Sequence, residues 1–169
     1  MHFSELAKNR FSVRAFAPTP VEADKKAAML EAARGAPTAC NYQPVKILVI
    51  ETPEDLEKLD ACSPCRFGAP LAFLMCYDKT KCWQPVPNED KGSGTMDASI
   101  AATHILLQAA DLGVGSIWVG MFDPVKAREL FSIPDDYVPV ALLPVGYPAE
   151  GCEPHPFHTT TKDLSELVF

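Results

Sequence analysis

Two arginines flank a serine at alternate positions in Arg10-Phe11-Ser12-Val13-Arg14. In an extended segment alternate side chains share a face, so two guanidinium groups and a hydroxyl would point one way. Arginine holds oxyanions through forked, charge-assisted hydrogen bonds, which makes a phosphate a fitting ligand. A solvated basic face is the alternative that the spacing leaves open. A second group lies in Pro37-Thr38-Ala39-Cys40-Asn41-Tyr42-Gln43-Pro44. Asn41 and Gln43 carry both donors and acceptors, which can read the polar edge of a planar heterocycle. The alternative there is a turn whose asparagine satisfies its own backbone. The third group runs from Gly113 to Phe122, with Gly113, Gly115 and Gly120 permitting close backbone approach to something flat. Its spacing departs from the dinucleotide fingerprint, and it follows a helix rather than a first strand.

Cys62-Ser63-Pro64-Cys65 has the spacing of a redox dithiol or of half a zinc site. A thioredoxin-like dithiol wants a helix beginning at the first cysteine, whereas here a helix ends there. A zinc site wants a second pair, for which Cys82 with His155 or His158 is the available but unpatterned set. An incidental pair is therefore the preferred reading. Cys65 and Arg66 are further candidates to line a pocket. His104, on a long apolar helix, reads as a buried or interface histidine, and Trp118 and Phe122 as core or contact residues. No metal ligands are assigned.

The elements that must position these residues follow from pattern. Residues 3–9 form a short helix, and 22–34 a second one with Met29, Leu30 and Ala33 as its apolar face. The loop 36–44 leads into strand 45–50, rich in β-branched residues. Thr52-Pro53 opens a helix over 53–62, and 71–77 is a buried strand. A polar loop spans 78–95. The longest helix, 96–112, is apolar on most faces, as expected of one buried centrally or at a subunit contact. Residues 113–122 make a short strand or extended turn. Asp123 and Pro124 start a helix, and strand 138–148 precedes a tail rich in proline and histidine. The order is α-α-β-α-β-α-β-α-β-tail, a single domain over residues 1–169.

The 169 residues carry a net charge of −7 and a pI near 5.0, which argues against a general binder of nucleic acid or anionic membrane. The start, MHFSELAKNRF, lacks the pattern of a secretory leader, and no apolar run is long enough for a membrane span. Six irregularly spaced cysteines do not make a disulfide scaffold, and free thiols fit the cytoplasm.

Taken in order, RFSVRAF, APTACNYQP, APLAFLMCYD, MDASIAATHILLQAADLGVGSIWVGMFD and the closing KDLSELVF resemble the FMN-dependent nitroreductase family along nearly the whole chain. Thr38 stands where serine is usual. The resemblance implies an α/β (α+β) three-layer sandwich, a central mixed sheet flanked by helices, and a C-terminal tail packing on a partner subunit. It also implies a homodimer with FMN in clefts at the interface. Carried over, Arg10, Ser12 and Arg14 would hold the phosphate, ribityl chain and O2 edge of the flavin. Pro37, Thr38, Ala39, Asn41 and Gln43 would approach it from the other subunit. Backbone groups of Trp118, Val119, Gly120 and Met121 would face N5. Lys162 would complete the phosphate clamp where the family more often has arginine, with His158 as its substitute. The implied reaction is ping-pong: NADH or NADPH delivers hydride to flavin N5, and a nitroaromatic, quinone or similar acceptor then takes the electrons. It requires no catalytic acid or base. Two other readings remain: a flavin store or sensor without turnover, and a thiol or metal redox module at Cys62 and Cys65. Flavin-fragmenting and dehalogenating relatives rely on lids, for which the 78–95 loop is the sizeable candidate here.

Overall fold

The computed structural model describes residues 2–85 and 92–168, so the middle of the 78–95 loop and the last residue of the tail lie outside the described residues. The chain runs α1 (Phe3–Asn9), α2 (Ala23–Arg34), β1 (Val45–Ile50), α3 (Pro53–Cys62), β2 (Leu71–Asp78), α4 (Gly94–Asp111), β3 (Gly115–Ser116), α5 (Pro124–Leu130) and β4 (Tyr137–Gly146). The helix starts follow local chemistry. Thr52 Oγ1 accepts from the Asp55 N–H with Pro53 in the first turn, and Asp123 accepts from the N–H groups of Val125 and Lys126 ahead of α5.

The sheet has four strands in the order β1-β2-β4-β3. The named strands pair antiparallel throughout, where a mixed sheet was expected. The parallel component is a single bridge, in which Ser12 lies beside Ser116 of β3. A register shift between Met75 and Cys76 falls opposite Pro139, whose missing N–H cannot continue the ladder.

Strand alternation sorts β2 between two cores. Leu71, Phe73 and Met75 face α2 and α4, packing with Met29, Ala33, Ala101, Ile105 and Ala109. Ala72, Leu74 and Cys76 face the other way, against Leu59 and Cys62 of α3, Ala127 of α5, and Val13, Ile117 and Val119. The result is the expected three layers, helices over both faces of one sheet. α4 is asymmetric: Ala98, Ala101, Ala102 and Ile105 are buried, whereas Met96 and Ile100 stay exposed. Small side chains let α4 lie close to the sheet, and a Cβ on Gly94 would come within 2.1 Å of the Tyr77 ring.

Candidate functional site

The Arg10–Arg14 segment adds to the β3 edge of the sheet. The Val13 N–H donates to the Ser116 carbonyl at 3.1 Å, and Val13 itself is buried between strand and helix layers. Further on, the Phe16 N–H donates to the Phe67 carbonyl and the Ala17 N–H to the Tyr147 carbonyl, at 3.1 and 2.8 Å. Because Val13 points inward, Ser12 and Arg14 point out. They line an open groove of about 620 Å³ with His155, Phe157 and His158 of the tail. Among the described residues neither Arg10 nor Arg14 pairs with a carboxylate. The Phe11 ring meets His158 edge-on at 6.2 Å, which fixes the tail against this segment. His155 Nδ1 accepts from the Phe157 N–H at 3.2 Å, so its other nitrogen is left to donate.

Arg10 lines not this groove but a second, smaller hollow of about 170 Å³, shared with Leu6, Phe11, Val13 and Ser116. The Ser116 hydroxyl is buried and has no hydrogen-bond partner among the described residues.

The segment after β3 is held by alternate residues. The Ile117 N–H donates to the Pro144 carbonyl at 3.2 Å. Val119 and Leu142 exchange both backbone hydrogen bonds, at 2.8 and 2.9 Å. The N–H groups of Trp118, Gly120 and Met121 have no partner among the described residues, and all three residues are exposed. A Cβ built on Gly120 would meet nothing within 4 Å, so the backbone there is open to a flat ligand. Unpaired backbone donors in a row along a rigid edge suit the acceptor atoms of a planar heterocycle.

The 37–43 loop is strained and pinned. Cys40, Asn41 and Gln43 have φ of 49°, 57° and 51°, the left-handed region that costs a non-glycine residue about 1 kcal/mol or more. Two contacts over-determine this shape. The Gln43 N–H donates to Thr38 Oγ1 at 3.0 Å, and Gln43 Nε2 donates to Asn41 Oδ1 at 3.0 Å. A third anchor comes from α4, where Asp97 accepts from the Ala39 N–H at 2.9 Å and from the Ser93 hydroxyl at 2.7 Å. Asp97 is only 2 % exposed. Within one protomer none of residues 37–43 lines the groove of Ser12 and Arg14.

Two expected residues sit elsewhere. Lys162 is 81 % exposed and pairs with Glu166 at 3.2 Å, so the structure brings His155 and His158 to Arg14 instead. Arg66 is committed to the fold, forking onto Asp60 at 2.6 Å and donating to the Ala69 carbonyl at 2.8 Å. The Cys62 thiol is buried and donates to the Lys58 carbonyl at 3.3 Å, and burial pushes its pKa up. Such a thiol is a poor nucleophile and a poor ligand until deprotonated. Among the described residues no three His, Cys, Asp or Glu side chains gather as metal ligands would. His104 Nδ1 meets the Ala32 carbonyl at 3.2 Å and ties α4 to α2.

Asp97 and Ser63, which donates to the Met121 carbonyl at 2.7 Å, were not singled out by sequence reasoning, and His155 was named only as a conceivable zinc ligand. For Asp97 a signal existed. It stands four residues after Ser93 at the mouth of the most apolar helix, where an acid is costly unless it holds something.

The layers define an α+β protein whose surface carries an arginine-lined groove and a run of backbone N–H groups without partners among the described residues. The chain belongs to the nitroreductase family, whose profile matches residues 7–64 and 63–147. A relative from Methanothermobacter thermautotrophicus strain Delta H is 35 % identical over 159 residues, 89 % of this chain and 79 % of that protein. It bears the provisional name NADH dehydrogenase/NAD(P)H nitroreductase. A nitroreductase family protein from Clostridium difficile 630 superposes with a TM-score of 0.92 at 40 % identity, covering 100 % of this chain and 98 % of the other. An FMN-dependent nitroreductase from Clostridium difficile R20291 superposes with a TM-score of 0.75 at 27 % identity, over 94 % and 97 % of the two chains. No helix among the described residues is long and apolar enough to cross a membrane.

Proposed function

We propose that this chain is an FMN-dependent oxidoreductase fuelled by NADH or NADPH, working as a cytoplasmic homodimer. The observation that carries the reading is the groove of Ser12, Arg14, His155 and His158. A chain of net charge −7 gathers a guanidinium, a hydroxyl and two imidazoles there, and no carboxylate among the described residues lines it. That donor set fits a phosphate monoester. The free N–H groups of Trp118, Gly120 and Met121 fit the heteroatom edge of an isoalloxazine. The names of the clostridial and archaeal relatives, FMN-dependent and NAD(P)H-using, agree with both.

When bound, the flavin would supply the redox chemistry, a hydride-accepting ring serving NAD(P)H and then a nitroaromatic, quinone or similar acceptor in turn. The protein's own work is positioning and field. Arg10, Ser12 and Arg14 hold the phosphate, ribityl chain and O2 edge, with His158 in the place first given to Lys162. The rigid 118–121 edge, Val119 included, presents preorganised donors to the ring, usually the large protein contribution. Pro37, Thr38, Ala39, Asn41 and Gln43 reach a flavin across the subunit boundary. The exposed Tyr42 of that loop, with the exposed Met96 and Ile100 of α4 that bracket its anchor Asp97, supports a second copy covering these residues.

The test is a visible spectrum before and after anaerobic NADH or NADPH, with sedimentation alongside. A flavin spectrum that bleaches and recovers with a quinone is expected, on a dimer. A bound flavin that neither nucleotide bleaches would favour the store or sensor reading. A monomer that holds FMN tightly would overturn the shared site.

A further inference from the structure

The 118–121 edge is braced from behind by the C-terminal end of α3. Pro64 restricts Ser63 to extended backbone, observed at φ −151° and ψ 134°, which turns its side chain away from the helix. Ser63 is 2 % exposed. Its hydroxyl donates to the Met121 carbonyl at 2.7 Å while its oxygen accepts from the Cys65 N–H at 3.1 Å, so the proton direction is set. One residue back, the Cys62 carbonyl accepts from the Asp123 N–H at 2.9 Å. The α3 end thus grips both sides of Phe122.

The grip is electrically continuous with the free donors. The Met121 carbonyl and the Phe122 N–H belong to one peptide, and that N–H donates to the Gly120 carbonyl at 3.2 Å. The Gly120 carbonyl in turn shares its peptide with the Met121 N–H, which is unpaired among the described residues. Hydrogen bonds in series polarise one another, most in a dry interior. The series begins at the hydroxyl of a buried residue and ends at the N–H of an exposed one.

We propose that Ser63 is a positioning residue for the redox site: through the Met121–Phe122 and Gly120–Met121 peptides it orients the Met121 N–H and strengthens it as a donor. This rests on the flavin reading above. Ser63 touches neither cofactor nor substrate. A stronger donor at the ring edge favours the more electron-rich, reduced flavin over the oxidised one, so Ser63 raises the potential of the bound group.

The experiment measures affinities for oxidised and reduced FMN, and the midpoint potential of the bound flavin, in the wild-type protein, Ser63→Ala and Ser63→Cys. Removing the hydroxyl should leave oxidised FMN within about twofold and weaken reduced FMN by about threefold to tenfold. That ratio corresponds to a potential about 14 to 30 mV more negative for a two-electron couple. Ser63→Cys, close in volume and a weak donor, should shift the same way, and it carries the measurement if Ser63→Ala fails to fold. Wild-type potential in the folded variants would overturn the role of Ser63 while leaving the flavin reading intact. Absence of flavin binding by the wild-type protein would overturn both.

Discussion

Replacing Asp97 by alanine tests the coupling between the longest helix and the strained loop. The carboxylate accepts from the Ala39 N–H and the Ser93 hydroxyl at 2.9 and 2.7 Å, and it is 2 % exposed. Hydrogen bonds to a charged acceptor contribute about 1.5–3 kcal/mol each, and the abandoned Ser93 hydroxyl stays buried while the Ala39 N–H is half-buried, so the loss is ~3 kcal/mol. In a chain of this size each kcal/mol moves the melting temperature by about 2–4 °C, giving a drop of roughly 6–12 °C. Asp97→Asn keeps one acceptor oxygen and should lose about a third to a half of that. The loop's left-handed residues then relax, so FMN affinity should fall with stability in both variants. Thermal melting at one fixed protein concentration is the assay, because assembly makes the midpoint concentration-dependent. If Asp97→Ala melts within about 2 °C of the wild-type protein, the pin between α4 and the loop is not an energetic feature.

Arg14→Ala should weaken FMN by about ten- to a hundredfold, the worth of a charge-assisted contact, and riboflavin by clearly less, because riboflavin lacks the phosphate and keeps only the ribityl chain and ring edge. Parallel fluorescence titrations with the two flavins check this, and equal losses would place Arg14 away from the phosphate. Gly115→Ala should cost about 1–3 kcal/mol by overpacking, since its Cβ would lie 2.7 Å from Val13 Cγ2 and 3.1 Å from the Gly146 carbonyl. Denaturant melts and FMN titration should both register the displaced 12–14 segment. Burial pushes the Cys76 thiol up to about 11, above its ordinary value of 9.0. The folded state therefore holds that proton longer than the unfolded chain, so stability is full below pH ~9 and declines as pH rises through ~11. Chemical melts at pH 8 and 10.5 should show this decline, and Cys76→Ala should flatten it.

Features written in local chemistry were legible before the structure. Thr52-Pro53 and Asp123-Pro124 mark helix starts because capping needs only the next three residues. The β2 run 71–77 announces a strand buried on both faces. Strand direction was not legible, because pairing is decided between distant segments; the expected mixed sheet gave way to antiparallel neighbours with one parallel bridge at Ser12. The binding residues divide likewise. Ser12 and Arg14 share an outward face because Val13 is a core residue, an alternation the sequence displays. Asp97 stands out as an acid on an apolar helix, but its partner Ala39 lies 58 positions away and no local pattern names it. Ser63 is hidden inside a cysteine motif that draws attention to its neighbours. His155 and His158 come to Arg14, and Lys162 does not, because the tail turns on Phe157 and packs through Phe11, a contact no periodicity encodes.

The sheet order leaves β1 at a margin, with Val45, Ile47 and Val49 half-covered and β2 as its strand neighbour. The outer rim of that strand reads Val-Lys-Ile-Leu-Val-Ile, with Lys46 as its one charge. Open strand margins of this composition template the pairing of further chains, and a lone lysine is a thin gatekeeper. Newly made protomers therefore face a race between proper assembly and clumping, decided by concentration and time. Slow expression at low temperature should raise the soluble yield without help from any cofactor.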